Sequence, residues 1–358
     1  MRRFTIALAV SAVFIGLTAG PALACGGLIG RNGSVNLVRT TTLAGYHDGV
    51  EHYLTAFKFA GAGGEFGSII PLPGVPTSVE RGGDWTLQRL VREVSPPPEK
   101  LFATADATSR ANAGAAAQVL LETRIDALDI TVLKGGAQAV GEWATDHGFL
   151  LTPDTPAVLD FYANRSPIFL AARFNADAAR AKGVALGDGT PVHITIPTGN
   201  PWVPLRILGV GLQTGERVAA DVFLLTDKKP SLLPGENAPG LTLARTQQAS
   251  DLLLNDLRTD KGGSWVPASS WLTYLKVDAA PTDLTYDLAV DATGAGKASP
   301  EATGLLEEPV GVTGGSGDGG GSLAWPIAVG AGLALILLVA GIGVLVSRDG
   351  RSTPGATA

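Results

Sequence analysis

Residues 327–346 are about 20 in number and hold no charge and no strongly polar side chain. At about 1.5 Å of rise each, a helix of that length crosses a hydrocarbon core of ~30 Å. Trp325 stands where an interfacial aromatic belongs. Pro326 occupies a first-turn position where its missing N–H costs nothing, and Arg348 and Arg351 flank the far end. The opposite terminus carries Arg2 and Arg3, an uncharged apolar stretch over 4–17, Pro21, and then Ala22-Leu23-Ala24 with small residues at both recognition positions. An export signal cut after Ala24 and a stop-transfer helix agree on one topology. The expected organisation is a signal peptide at 1–24, an extracytoplasmic domain at 25–310, a Gly/Ser-rich linker at 311–323, a transmembrane helix at 324–346 and a cytoplasmic tail at 347–358. The expected location is the cell membrane, crossed once, with the N-terminal domain outside and too short a tail to signal alone. Cys25 at the new N-terminus leaves lipidation open, although Ala22 stands where lipid-modification sites usually place Leu. The small residues Ala328, Gly330, Gly332 and Ala334 fit a helix-pairing seam or simply an Ala- and Gly-rich chain.

Charge narrows the partners of the outer domain. The chain has 27 basic and 33 acidic residues; setting aside Arg2, Arg3, Arg348, Arg351 and Asp349 leaves 23 against 32, a balance of about −9. A nucleic-acid ligand needs a basic face to meet phosphates, so none is expected. Cys25 is the one cysteine, which excludes an intrachain disulfide even in a compartment that permits one. A packed core must then hold the fold, and 45% hydrophobic residues supply it.

Local patterns point to an α+β ectodomain, mostly antiparallel strands with three to five helices. Two β-rich runs, 35–46 and 50–60, flank His47-Asp48-Gly49, a strong hairpin signal. Strands are expected at 66–70, 125–133, 168–174, 192–196, 205–210, 218–225, 271–277 and 284–290. Helical spacing predicts helices over 85–94, 138–147, 156–164 and 247–257. Residues 103–117 read as a loop or weak helix, and 230–239 as loop.

One stretch resembles a known family. Gly141-Glu142-Trp143-Ala144-Thr145-Asp146-His147-Gly148-Phe149, followed by Leu151-Thr152-Pro153, Val158-Leu159-Asp160-Phe161-Tyr162 and Phe169-Leu170-Ala171-Ala172-Arg173, is similar to the DUF2330 family of exported bacterial proteins. Cys25-Gly26-Gly27, Pro204-Leu205-Arg206-Ile207, and Trp271-Leu272-Thr273 with Tyr286-Asp287-Leu288 extend the likeness over most of 25–293. The resemblance implies secretion and one continuous domain, and it brings no activity and no catalytic residue. The second cysteine that some members carry is missing here, so no disulfide transfers.

The chain has four histidines, His47, His52, His147 and His193, the side chains best suited to acid–base or metal chemistry near neutral pH. His47, Asp48, Glu51 and His52 lie close in sequence, but His-x-x-x-Glu-His misses the inverted zinc-peptidase spacing by one and falls on a turn. His47 and His52 are the nearest candidates for metal ligands; no metal and no other cofactor is expected. His147 precedes a helix-ending Gly148 and suits a last helical turn. His193 reads as a half-exposed strand residue. No Gly-x-Ser-x-Gly elbow, Ser-x-x-Lys pair or complete phosphate loop occurs. Trp202, Trp265 and Trp271 are the candidate ligand-binding side chains, since aromatic faces take sugar rings or peptides and the first two sit between prolines or glycines in loops; core packing is the competing use. These features favour a surface binding or interaction module with a protein or glycan partner. The alternative is an extracytoplasmic hydrolase whose site a single sequence does not display. Oligomeric state is open.

Overall fold

Asp48 and Gly49 both adopt positive φ, 50° and 77°, the pairing that matches a two-residue turn to the right-handed twist of its strands. That turn closes the longest hairpin of the molecule, and the rest of the fold is assembled on it. A computed structural model describes residues 27–30, 36–60, 66–95, 117–182, 189–235, 238–294 and 296–304. All belong to one compact unit, residues 1–307. The segments expected as signal peptide, linker, transmembrane helix and tail, together with Cys25 and residues 103–116, lie outside the described residues. Among the described residues no helix is long and apolar enough to cross a membrane.

In chain order the elements begin with strands β1 (Gly27–Gly30), β2 (Asn36–His47), β3 (Val50–Ala60), β4 (Phe66–Leu72) and β5 (Ser78–Arg81), then helix α1 (Thr86–Val94). Next come β6 (Gln118–Ile125), β7 (Leu128–Lys134), α2 (Ala137–Asp146), α3 (Thr155–Ala163), β8 (Ile168–Phe174) and α4 (Ala176–Lys182). After β9 (Val192–Pro197) and β10 (Trp202–Val203), a 3₁₀ turn at Arg206–Gly209 leads into β11 (Val218–Thr226), β12 (Ser231–Leu233) and β13 (Leu241–Gln248). Helix α5 (Asp251–Thr259), β14 (Trp271–Ala279), β15 (Leu288–Asp291) and α6 (Pro300–Thr303) complete the set.

Seven strands form one sheet in the order β13-β14-β11-β2-β3-β9-β5, antiparallel except for the β11–β2 pair. Five form a second, wholly antiparallel sheet, β1-β4-β8-β7-β6. A small sheet, β10-β15-β12, contributes Trp202, Val203, Leu288, Ala289 and Val290 to the larger core. Strand alternation sends Val222 and Leu224 to a core shared with the five-stranded sheet, and Phe223 and Leu225 to a core beneath α1 and α5. On the far side of the five-stranded sheet, α2 and α3 pack together, and the Phe149 ring occupies the space a Cβ on Gly67 would need. The mostly antiparallel α+β architecture is therefore as expected.

Helix α1 has no cap of its own. The Asp260 carboxylate, beyond α5, accepts from the Trp85 and Thr86 amides at 3.2 and 2.7 Å and from the Thr86 hydroxyl at 2.7 Å. Arg89 on α1 reaches Asp256 on α5 at 2.8 Å, so the two helices cover the seven-stranded sheet as a pair.

Four local expectations are corrected. Residues 205–210 wind into the 3₁₀ turn rather than a strand, because the amides of Leu205 and Arg206 turn in to the Asp287 carboxylate. The expected helix over 247–257 starts only at Asp251, capped by Ser250 Oγ on the Leu253 amide at 3.2 Å; Gln247 and Gln248 belong to β13. The expected strand at 125–133 is the second arm of a hairpin whose turn holds Asp126 at φ 51°. Its first arm, β6, is a largely exposed edge strand whose apolar residues Val119, Leu120 and Leu121 are consecutive rather than alternating, which hides it from periodicity. Finally, β15 spans only part of 284–290, and six helices are present among the described residues, two of them only four and seven residues long.

Candidate functional site

The face of the seven-stranded sheet that α1 and α5 leave partly open carries a row of ionisable side chains. Strand alternation puts His47 and His52 on this face, and register brings His193 of β9 and Glu80 of β5 alongside; Asp227 follows β11 at the other end. The row thus runs Asp227, His47, His52, His193, Glu80 across five neighbouring strands and gathers three of the chain's four histidines.

At its centre, His52 Nδ1 lies 3.1 Å from His193 Nε2. The Trp265 indole stacks on the His52 ring, with centroids 4.3 Å apart and planes 5° from parallel. Gly45, directly across from His52, makes this possible: a Cβ there would stand 2.0 Å from the indole. Burial, with the neighbouring His193 and His47 adding to it, pushes His52 down to about 4. Burial also lowers His193, against the opposing charge of Glu80. Both rings are therefore neutral at physiological pH, and one N–H is shared between them. His193, expected to be half-exposed, is buried at 7% because the 260–266 loop folds over it; a Cβ on Gly262 would stand 3.3 Å from its Nδ1.

His47 takes different partners. Its Nδ1 meets Asp227 at 2.7 Å and its Nε2 meets Asp48 at 3.3 Å. Among the described residues, this is the one group of three His or acidic side chains whose ligand atoms all lie within 4.8 Å of one another. The candidate pair His47 and His52 thus shares a face but not a centre. Glu51 leaves the group altogether, since it points to the opposite face into the large core.

A second concave feature lies on the five-stranded sheet, where α2 and α3 stop short of β6. A groove of about 460 Å³ is floored by Glu122, Arg124, Asp129, Thr131 and Arg173 and walled by Trp143 and His147. Asp129 ties the floor together: it takes Arg124, Arg173 at 3.2 Å and Asn175 at 3.3 Å. Those bonds hold its carboxyl below the ordinary range despite partial burial, which acts first and in the opposite sense. The wall is rigid. His147 stacks on Trp143 at 3.9 Å and its Nδ1 meets the Trp143 carbonyl at 2.7 Å, while Gly148 closes the helix at φ 84°. The helix-ending role expected of His147 holds, and the groove adds a surface to it.

The tryptophans part company. Trp265 belongs to the histidine row. Trp202 is 3% exposed and stacks on Tyr162 at 5.7 Å, with the Arg165 guanidinium 5.0 Å from its ring. Trp271 is half-buried on β14 and donates Nε1–H to the Thr246 hydroxyl at 2.7 Å.

Trp202 marks a buried junction. Asp287, fully buried, accepts from the Leu205 and Arg206 amides at 2.7 and 3.0 Å and from the Tyr162 hydroxyl at 2.8 Å, and it pairs with Arg165. The Tyr162 oxygen in turn accepts from the Ile207 amide at 2.9 Å. Phe161 lies between Arg165 and Arg206, 4.0 and 4.2 Å from its centroid. Three of the motifs that carry the family resemblance (the Phe161-Tyr162 pair, Pro204 to Ile207, and Tyr286 to Leu288) meet at this point. Every polar atom named here has a partner, which suits a structural lock better than a reactive centre.

A family model described as "Uncharacterized protein conserved in bacteria (DUF2330)" matches residues 19–289. Comparison with curated proteins found no match. Among solved structures, the crystal structure of baculovirus P35 is 9% identical, covering 72% of this chain and 97% of that one at a TM-score of 0.42. A mutated baculovirus P35 after caspase cleavage is 10% identical, covering 71% and 99% at a TM-score of 0.34. At such scores the likeness carries no argument.

Proposed function

The chain belongs to the DUF2330 family of uncharacterized bacterial proteins, and from that premise we propose that it is a binding module held at the outer face of the cell membrane. The apolar segment at 324–346 is the anchor, and the groove beside β6 takes an extended segment of a protein partner. The groove carries this reading. Its floor offers both signs of charge, Glu122 and Asp129 with Arg124 and Arg173, as a peptide backbone with mixed side chains requires. Its outer rim is β6, the last strand of its sheet, with Val119 43% exposed. An edge strand next to a polar groove suits pairing with an added strand, in which main-chain hydrogen bonds supply affinity and alternate side chains enter the groove. The net acidity of the ectodomain argues for a partner that is not a nucleic acid.

A photo-reactive residue in place of Val119, on the exposed rim of the groove and within the full chain in its own membrane, tests the reading. The expected result is a discrete protein adduct that falls by roughly tenfold when Arg173→Glu reverses the floor's charge. Recovery of glycan conjugates alone would move the ligand to sugars. Turnover of a peptide or ester substrate that disappears in His193→Ala would favour a hydrolase and end the binding-module reading.

A further inference from the structure

The two imidazoles at the centre of the histidine row come from neighbouring strands and face one another through single nitrogens, Nδ1 of His52 and Nε2 of His193, 3.1 Å apart. Two ring nitrogens on one tetrahedral Zn²⁺, each at about 2.0–2.1 Å, stand roughly 3.3 Å apart. The observed spacing is within a few tenths of an ångström of that. We infer that His52 and His193 form a binding site for a divalent transition ion of the Zn²⁺ class, with water filling the remaining positions. This inference does not rest on the groove.

Imidazole nitrogens suit Zn²⁺, Cu²⁺ and Ni²⁺, whereas carboxylate-rich clusters suit Mg²⁺ and Ca²⁺. Coordination by both facing nitrogens requires only that the shared N–H move to the outer nitrogen of its own ring, a change of tautomer without net proton release. The rings are also held in place: Trp265 covers one face of His52, and the Gly262 segment closes over His193. That fixes donor orientation in the way outer groups do at metal centres. Glu80 stands directly across from His193 in the β5–β9 register, but it is exposed and forms no three-ligand cluster with the two rings, so the protein supplies two ligands. The His47, Asp48 and Asp227 group is the weaker centre. Both nitrogens of His47 are already engaged by carboxylates, and the Asp48 side chain is 86% exposed.

Equilibrium dialysis of the full-length chain in detergent against Zn²⁺ tests the site, with melting temperature measured on every variant. One ion per chain is expected. His52→Gln and His193→Gln, which keep side-chain volume and polarity, should each weaken binding by roughly tenfold or more, while His47→Gln and His147→Gln leave it within about twofold. Cu²⁺ substituted for Zn²⁺ should quench tryptophan fluorescence, and Trp265→Phe should remove most of the quenching. Zn²⁺ retained in both central variants but lost in His47→Gln would move the ion to Asp227 and overturn the assignment. So would a wild-type chain that binds no Zn²⁺. Should a central variant melt far below wild type, quenching of Trp265 in the wild type decides alone: its absence refutes the site.

Discussion

Asp287 and Glu51 are both fully buried carboxylates in the same unit, and they are arranged in opposite ways. Asp287 accepts from two amides and a tyrosine hydroxyl and pairs with a guanidinium, from two segments remote in sequence. Glu51 projects from β3 into the core, and neither of its oxygens has a hydrogen-bond partner of normal geometry. Burial raises both groups. For Asp287, Arg165, the Arg206 amide and the Tyr162 hydroxyl work against that rise. For Glu51 the Trp202 backbone is the sole counterweight, and the carboxyl is pushed up to about 8. The partner set, rather than depth, separates a lock from an unmatched buried acid.

The largest effect should come from opening the lock. Asp287→Ala would strand Arg165 in the interior and leave the Leu205 and Arg206 amides without acceptors. The expected loss is about 3–5 kcal/mol, read as a lower urea midpoint. Asp287→Asn, which keeps one acceptor oxygen, should lose less. A loss below about 1 kcal/mol in Asp287→Ala would erase the contrast with Glu51.

Glu51 gives an effect of comparable size at alkaline pH, and its sign is opposite to that of a salt-bridged carboxylate. Its folded value, about 8, lies above the ordinary 4.5. The folded state therefore holds a proton that the unfolded chain has released. The stability this group allows is fully present below about pH 4.5. It declines by about 1.4 kcal/mol per pH unit as pH rises toward 8, and it is flat above that. Glu51→Gln should remove that slope and melt higher than wild type at pH 8 but not at pH 4. Parallel pH profiles for the two proteins would mean that Glu51 is solvated or paired in solution.

The contrast also shows where sequence patterns reach. The hairpin at 36–60 was legible because Asp48-Gly49 is a local signal whose turn geometry acts over four residues. Helices α2 and α3 and strand β8 were legible through their periodicity. Edge strand β6 and strand β13 were not, since exposed strands need no apolar alternation, and the 3₁₀ turn at 206–209 depends on a carboxylate about 80 residues away. The site follows the same division. His47 and His52 stand out in the sequence, but His193 lies 141 positions from His52 and only sheet order brings them together. Alternation alone separates Glu51 from His52, because neighbours on a strand face opposite ways. Nothing local marks Trp265 as the residue over His52, except that Gly45 in mid-strand signals a close approach from elsewhere.

The smallest effect is the most discriminating. Tyr162→Phe removes one oxygen from the lock and leaves the ring, its stacking on Trp202 and the Arg165 pair intact. It takes away one of the Asp287 donors and the acceptor of the Ile207 amide. Two buried groups each lose one partner, for an expected cost of about 1–3 kcal/mol. If the lock acts as a unit, adding Tyr162→Phe to Asp287→Ala should cost much less than it does alone, a coupling of about 1 kcal/mol or more. Additive losses would instead mean that the Ile207 amide, not the carboxylate, is what the tyrosine serves.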